Sequence, residues 1–196
     1  MNKLLPSAAL FQETKSKKIG RLKFPGYQVF EKIRKDKCGG GLMSVVDNNL
    51  NPVLIETNED VEMLVVDSSL PVGSIVLINA YGPQESDTIL TKVKFWGSLQ
   101  KEVERAKEEG KMVLIQMDAN AKIGNKFLKR NPKNETSSNG KFLIDLVRSN
   151  KLVICNNSDE CRGIITRQRY AKEKKEGSIL DYIIVCDEPS EHLINM

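Results

Sequence analysis

The sequence predicts a single α/β domain, in which one long helix connects two buried strands. Ser74 to Ala80 and Met112 to Asn120 are apolar runs of the length expected for buried strands. Between them, from Thr88 to Glu109, apolar residues recur at mostly helical spacing and charged residues fill the other positions. A strand, a helix and a second strand in this order form the basic unit of an α/β domain.

Length and composition agree with one globular domain. The chain has 196 residues, of which 40% are hydrophobic and 29% are charged. Its net charge of +4 permits a polyanionic partner without requiring one. No apolar run is long enough for a membrane span, and the first residues are too weakly patterned for a secretory signal. We therefore expect no membrane partner, and no feature of the sequence calls for a small-molecule cofactor.

The cysteines argue against a zinc site. Cys38, Cys155, Cys161 and Cys186 include no Cys-x-x-Cys pair, and the chain has one histidine. We interpret them as reduced thiols, which indicates a nuclear or cytoplasmic protein.

The other segments predict short strands, a second helix and two basic loops. The predictions are a short helix over Met1 to Ala9, an antiparallel meander over Leu42 to Val46, Val53 to Glu56 and Val61 to Asp67, a helix over Gly140 to Asn150, a strand over Leu152 to Cys155, and loops over Lys122 to Asn139 and Thr166 to Glu176. Gly39-Gly40-Gly41 could cradle a phosphate, but no Lys-Ser/Thr and helix follow it, so a tight turn is favoured.

The central apolar run ends in a pair of polar side chains. Alternation along a strand puts Asp118 and Asn120 on the same side of the sheet. A carboxylate accepts hydrogen bonds and an amide both donates and accepts them, so the pair can hold a phosphate and a water together. The alternative is a strand-to-turn exit, because both residue types are favoured in turns.

Two other strand ends carry candidate residues. Tyr81 precedes Gly82-Pro83, a firm turn that leaves the tyrosine near the same rim as Asp118; the alternative is a tyrosine that caps the core. Asp181 lies in a strongly β sequence, where a carboxylate is costly unless it is paired, hydrogen-bonded or near a metal. Both a functional and a purely structural role of Asp181 remain open.

Four strand ends carry polar motifs in a fixed order. The motifs are Gln12-Glu13-Thr14, Asn79-Ala80-Tyr81-Gly82-Pro83, Asp118-Ala119-Asn120 and Ser178-Ile179-Leu180-Asp181-Tyr182. With this set, which covers essentially the whole chain, the sequence resembles the endonuclease/exonuclease/phosphatase superfamily. It is most similar to the apurinic-type endonuclease domains that precede the reverse transcriptase of non-LTR retrotransposons, or to a host protein domesticated from one. Trp96, Asn139-Gly140 and Thr166-Arg167 also suit that branch.

The resemblance implies a four-layer sandwich, with two mixed β-sheets packed face to face and helices outside. It also implies Mg²⁺-dependent hydrolysis of a phosphodiester in DNA, with Mn²⁺ as a substitute metal. Glu13 would be the principal Mg²⁺ ligand, since a hard oxygen donor suits that ion. Asp118 would orient or deprotonate the attacking water, and Asn120 would hold the phosphate or that water.

The resemblance assigns the remaining site residues as well. Tyr81 would donate a hydrogen bond to a phosphate oxygen, Asn79 would support that strand end, and Asp181 would orient the catalytic histidine or help at the metal. Independently of the resemblance, the charge of the two basic loops favours contacts with nucleic acid through Lys126, Lys129, Arg130, Arg167 and Arg169. Exposed charge without a ligand is the alternative for these loops.

Two departures from the family pattern predict a shortened domain over residues 1–196. The family begins with an asparagine-bearing strand before the Gln-Glu-Thr segment, and ends with Ser-Asp-His. His192, the one histidine, follows the Asp-Tyr strand too closely to match that motif, so we expect it to be a surface residue. We therefore expect a domain that lacks its terminal strands and cleaves weakly or not at all.

Two further functions stay open at this point. One is a phosphatase or phospholipase of the same superfamily, acting on inositol phosphates or sphingomyelin, because basic loops also bind anionic head groups. The other is a module that has kept the fold without the chemistry and binds nucleic acid or protein.

Overall fold

A computed structural model of the chain describes residues 5–16, 20, 22–34, 40–128, 134–158, 161, 165–171 and 174–186, with the backbone alone for 168–171 and 174–176. The strands are β1 (Ala8–Gln12), β2 (Tyr27–Lys32), β3 (Leu42–Asp47), β4 (Val53–Ile55), β5 (Met63–Leu70), β6 (Gly73–Tyr81), β7 (Met112–Asp118), β8 (Leu152–Ile154), β9 (Arg167–Ala171), β10 (Lys174–Ser178) and β11 (Asp181–Cys186). The helices are α1 (Ile89–Glu108) and α2 (Ser138–Ser149).

In this part of the chain the strands form two sheets and one hairpin. The larger sheet has six strands in the order β4-β5-β6-β7-β11-β8. It is mixed, because β6 and β7 run parallel while the other neighbouring pairs are antiparallel. The smaller sheet, in the order β1-β3-β2, is antiparallel rather than mixed as expected. Strands β9 and β10 pair as a separate antiparallel hairpin.

The parallel pair is connected by α1, which confirms the predicted strand–helix–strand unit. The hydroxyl of Thr88 caps the helix by accepting a hydrogen bond of 3.2 Å from the amide of Thr91. The buried face of the helix carries apolar side chains about one turn apart, namely Phe95, Trp96, Leu99 and Val103. Because the crossover returns the chain to a parallel strand, β6 and β7 end at the same edge of the sheet.

The larger sheet separates two apolar cores. One core lies between its outer face and the two helices, with Trp96, Ile115 and Leu143 among its members. The other lies between the two sheets and contains Val46 of β3 and Leu77 of β6. The order helices, larger sheet, smaller sheet gives three of the four layers expected of the sandwich. Neither of the described helices is long and apolar enough to cross a membrane.

Three local predictions are wrong. Ala8 and Ala9 lie in β1 and not in a helix, because pairing with β3 overrides the helix preference of alanine. The predicted meander is divided: β3 belongs to the smaller sheet, while β4 and β5 continue with β6 as consecutive antiparallel neighbours in the larger one. The basic segment that begins at Thr166 is a hairpin rather than a loop, because its backbone pairs Arg167 with Ser178 and continues in register from there.

Candidate active site

One edge of the sandwich brings together the side chains that end the strands. Strand pairing places Tyr81 beside Asp118, and Asp118 beside Asp181. A pocket of about 380 Å³ opens at this edge. Six of the residues predicted from the sequence line it: Glu13, Tyr81, Asp118, Asn120, Arg167 and Asp181. Their common location is therefore established, while their chemical roles stay predictions.

Glu13 reaches the pocket from a turn that follows β1. Its backbone has φ of 53°, a left-handed conformation that costs a residue with a side chain on the order of 1 kcal/mol. The next amide, of Thr14, donates a 3.1 Å hydrogen bond to the carbonyl of Gly41 and so holds this turn against β3. Non-glycine residues in this region are concentrated at functional sites, where the surrounding structure maintains the strain. The backbone conformation at Glu13 therefore directs its carboxylate into the pocket.

The hydroxyl of Tyr81 connects that turn to the larger sheet. It donates a hydrogen bond of 2.8 Å to Oε1 of Glu13. It also accepts one of 3.0 Å from the amide Nε2 of Gln84. Burial raises the pKa of Tyr81 to about 12, an effect that Asn120 partly opposes and that the Glu13 carboxylate reinforces. The phenol thus stays neutral near physiological pH and can act as a hydrogen-bond donor.

Asp118 and Asn120 form a tight turn at the end of β7. The amide N–H of Asn120 donates to Oδ1 of Asp118 at 3.0 Å, and its side chain donates to the carbonyl of Gly82 at 2.9 Å. Asn120 has φ of 46°, a left-handed conformation that asparagine tolerates better than most residues. The Asp118-Ala119-Asn120 motif therefore ends the strand in a turn and also lines the pocket. The structural and the functional interpretation of this motif are compatible.

The electrostatics of the pocket single out Asp118. Its pKa is raised to about 6, mainly because burial disfavours the charged form, and the carboxylates of Asp181 and Glu13 add to the effect. The hydrogen bond from the Asn120 amide and the charge of Arg167 oppose it. A carboxylate with this pKa can accept a proton from water near neutral pH.

Asp181 enters the pocket from the start of β11. Its amide N–H donates to the hydroxyl of Thr166 at 3.3 Å, and its carbonyl accepts from the side chain of Asn156 at 3.1 Å. Within the described part of the chain, no group donates a hydrogen bond to its carboxylate. The backbone of Asp181 is therefore fixed, while its carboxylate is left to the pocket, which favours the functional interpretation of this residue.

Asn79 lies beneath the pocket and not in its wall. It is fully buried, and its side-chain nitrogen donates to the carbonyls of Phe11 and Met43 at 3.2 and 3.0 Å. Its oxygen accepts a 2.6 Å hydrogen bond from Gln12, the residue before Glu13. These bonds join β1 and β3 to β6. Asn79 thus joins the two sheets two residues before the end of β6, and its role as a support for that strand end stays a prediction.

Two residues make contacts at the site that the sequence did not reveal. Gln84 reaches Tyr81 because the chain reverses at the Gly-Pro turn. No pattern in the sequence predicts this hydrogen bond. Asn139, recognised only as part of a motif, is fully buried and donates to the carbonyls of Pro83 and Asn120 at 2.7 and 3.3 Å. It thereby connects the exits of β6 and β7.

The basic residues predicted to contact nucleic acid are only partly placed. Arg167 lines the pocket, and Lys126 is exposed on the loop before α2. Lys129 and Arg130 lie outside the described residues, as does His192, and only the backbone of Arg169 is described. A contact between Lys126 and nucleic acid therefore stays a prediction.

The donor set of the pocket fits a hard divalent cation. Glu13, Asp118 and Asp181 supply carboxylate oxygens to one cavity, and their mutual repulsion contributes to the raised pKa of Asp118. In the described ranges, no three acidic, histidine or cysteine side chains are close enough to enclose a metal. Mg²⁺ needs no such enclosure, because it binds through one or two carboxylates and keeps several waters. Glu13, with Asp181 or Asp118 beside it, would hold the ion.

Comparison with known proteins gives structural matches only. No protein-family model and no curated protein sequence matches the chain. The endonuclease domain of TRAS1, a telomere-specific non-LTR retrotransposon, is similar in structure, with a TM-score of 0.65 and 19% identity over 93% of this chain and 74% of that one.

Two further solved structures share the architecture. An AP endonuclease from Archaeoglobus fulgidus has a TM-score of 0.62 and 16% identity over 93% of this chain and 77% of its own. ANGEL2, a 2′,3′-cyclic phosphatase, has a TM-score of 0.58 and 13% identity over 92% of this chain and 70% of its own. At such identities a structural match establishes the fold alone. The chain has the endonuclease/exonuclease/phosphatase fold.

Proposed function

We propose that the chain hydrolyses phosphodiester bonds within DNA, as an endonuclease of the retrotransposon or apurinic type. The observation that carries the proposal is the shared pocket: Glu13, Tyr81, Asp118 and Asn120 reach it from three separate strand ends. Two of the four, Glu13 and Asn120, are also held in left-handed backbone conformations.

In this proposal each residue has a chemical task. Asp118, with a pKa of about 6, accepts a proton from the attacking water. Asn120 lies two residues further on and fixes the carboxylate through its amide, so the position of that base is set by the turn. The neutral phenol of Tyr81 donates a hydrogen bond to a phosphate oxygen of the substrate, in place of the bond that it donates to the Glu13 carboxylate in this structure.

The reaction forms one bond to phosphorus and breaks another. The water oxygen bonds to phosphorus as its proton passes to the Asp118 carboxylate. The bond from phosphorus to the sugar oxygen breaks, and the departing alkoxide takes a proton from solvent water. When bound by Glu13, Mg²⁺ would supply positive charge at the phosphate and the departing oxygen. The chain itself contributes orientation, since the strand ends hold base and donor on neighbouring strands.

DNA is the proposed substrate for two reasons. The structural neighbours include an AP endonuclease and the endonuclease of a retrotransposon, and the chain has a net charge of +4. A nuclear or cytoplasmic setting and an origin in a retrotransposon, whether still part of the element or domesticated, belong to the same proposal. We also propose that Mn²⁺ can substitute for Mg²⁺ in this reaction.

A phosphatase or phospholipase activity is the second candidate. The neighbour described as a 2′,3′-cyclic phosphatase shows that the same fold occurs in a protein named for a different phosphate reaction. A module that binds nucleic acid without cutting it is the third.

A single comparison of substrates separates the three candidates. An end-labelled DNA duplex, inositol phosphates, sphingomyelin and a nucleoside 2′,3′-cyclic phosphate are incubated with the protein and Mg²⁺ or Mn²⁺. We expect internal cuts in the duplex and no reaction with the other substrates. Chelation of the metal and the substitution Asp118→Asn should each abolish the cuts. The control variant Asp145→Asn, which changes an exposed carboxylate on α2, should keep them. Phosphate or head-group release from the other substrates would support the second candidate, and salt-sensitive binding of an uncut duplex would support the third.

A further inference from the structure

One cation faces the carboxylates of the pocket. Of the residues that line it in the described part of the chain, Arg167 alone is positively charged, against Glu13, Asp118 and Asp181. The side chain of Arg167 is exposed, and it makes no ion pair with any described residue. By contrast, the nearby Arg34 is paired with Glu62. The guanidinium of Arg167 is therefore available to a ligand in the pocket.

The backbone fixes this arginine relative to the site. Arg167 is the first residue of β9 and pairs with Ser178 of β10. Immediately before it, the amide of Thr166 donates to the carbonyl of Ser178 at 3.1 Å. The hydroxyl of Thr166 accepts from the amides of Leu180 and Asp181 at 2.9 and 3.3 Å. The segment that carries Arg167 is thus closed onto the segment that carries Asp181, at the mouth of the pocket.

The charge of Arg167 already acts inside the pocket. It lowers the pKa of Asp118, against the larger opposing effect of burial. The direction of this effect agrees with the geometry, which places both side chains in one cavity.

We propose that Arg167 is a catalytic residue, whose guanidinium donates N–H hydrogen bonds to the non-bridging oxygens of the reacting phosphate and offsets the charge that develops there. This inference rests on the proposed function. The planar guanidinium matches a phosphate in two-point geometry, which the ammonium of a lysine does not reproduce. Arg167 takes no part in the proton transfer, because the proton of the attacking water passes to Asp118. Its contribution is the stabilisation of charge in the transition state.

This role differs measurably from general attraction of DNA. A surface arginine that only attracts the DNA backbone changes KM, and its effect fades as salt rises. An arginine that contacts the reacting phosphate changes kcat, and it does so at low and high salt alike.

The test compares three variants in steady-state cleavage of a DNA duplex at two salt concentrations. They are Arg167→Ala, Arg167→Lys and Lys101→Ala, the last removing one exposed positive charge from α1. We expect kcat to fall at least tenfold in Arg167→Ala, with partial recovery when guanidinium ion is added, and to remain low in Arg167→Lys. Lys101→Ala should match the unaltered protein. Circular dichroism of each variant confirms that it is folded.

The outcomes separate this inference from the function on which it rests. If the unaltered protein cleaves and Arg167→Ala shows only a salt-dependent rise in KM, Arg167 is not catalytic and the endonuclease stands. A kcat of Arg167→Ala equal to that of Lys101→Ala leads to the same conclusion. If the unaltered protein leaves DNA intact under all conditions, both the proposed function and this inference are overturned.

Discussion

The hydroxyl of Tyr81 lies 2.8 Å from Oε1 of Glu13 and donates a hydrogen bond to it. Tyr81 ends β6 of the larger sheet, while Glu13 follows β1 of the smaller one. The bond therefore joins the two sheets at the edge where the pocket opens. It also occupies the single proton of the phenol, so a phosphate in the pocket must compete with Glu13 for it.

Tyr81→Phe removes that donor and leaves the aromatic ring in place. Because one positioned donor at a reacting group contributes about 10² in rate or more, we expect kcat for DNA cleavage to fall by roughly that factor. The matched control is Tyr182→Phe, which removes a buried hydroxyl that donates to the carbonyls of Ala121 and Ile179, on a residue that does not line the pocket. The control should lose about 1 kcal/mol in the free energy of unfolding and keep its kcat. Equal kcat values in the two variants would contradict a role for the Tyr81 hydroxyl.

Asp118→Asn should stabilise the metal-free protein in a pH-dependent way. The folded-state pKa of Asp118 is raised from 3.8 to about 6, so between these values the folded state holds a proton that the unfolded state releases. The contribution of Asp118 to stability is therefore present at low pH and is lost as the pH rises toward 6. Asparagine stays neutral and keeps an oxygen for the Asn120 amide.

Urea unfolding in chelator measures this difference. Above pH 6 the Asp118→Asn variant should exceed the unaltered protein by about 1 to 2 kcal/mol, a value below the full conversion of the pKa shift because water reaches part of the site. At pH 4 the two should converge. Asp145→Asn, which changes an exposed carboxylate, should show no such trend. A stability difference independent of pH would contradict the assignment.

Gly82→Ala tests how closely the ends of β6 and β7 approach each other. A Cβ atom at Gly82 would lie 2.5 Å from the backbone oxygen of Ala119, so one strand exit must shift. We expect a loss of roughly 1–3 kcal/mol in the free energy of unfolding, the usual cost of overpacking, together with reduced cleavage. Gly97→Ala in α1 is the control: its Cβ would meet nothing within 4 Å. It should stabilise the protein by roughly 0.5–1 kcal/mol, and loss of stability there would call the helix assignment into question.

The sequence predicts the centre of the fold well, because long apolar runs and helical spacing reflect burial directly. The run that ends at Asp118 is a strand, and the segment that begins at Thr88 is a helix with Thr88 as its cap. Since the helix connects parallel strands, the meeting of Tyr81 with Asp118 also followed from the order of elements. The sandwich was expected from the family resemblance that the ordered motifs carry.

The other parts of the fold and of the site depend on contacts between residues that are distant in sequence, and these could not be predicted. β1 forms because β3 pairs with it, which no local preference of Ala8 or Ala9 indicates. The hairpin after Thr166 is polar in sequence, so it lacks the apolar alternation that marks a strand. Gln84 and Asn139 reach the site through a turn and a helix start, and their roles become visible only in three dimensions.

The most direct test of the proposed function is nicking of supercoiled plasmid by the unaltered protein with Mg²⁺, beside Glu13→Ala and Asp118→Ala. We predict slow nicking that is abolished by chelator and by each substitution, because one residue holds the cation and the other accepts the proton of the attacking water. Nicking of equal rate in all three proteins, or no nicking by a folded unaltered protein with Mg²⁺ or Mn²⁺, would contradict this function.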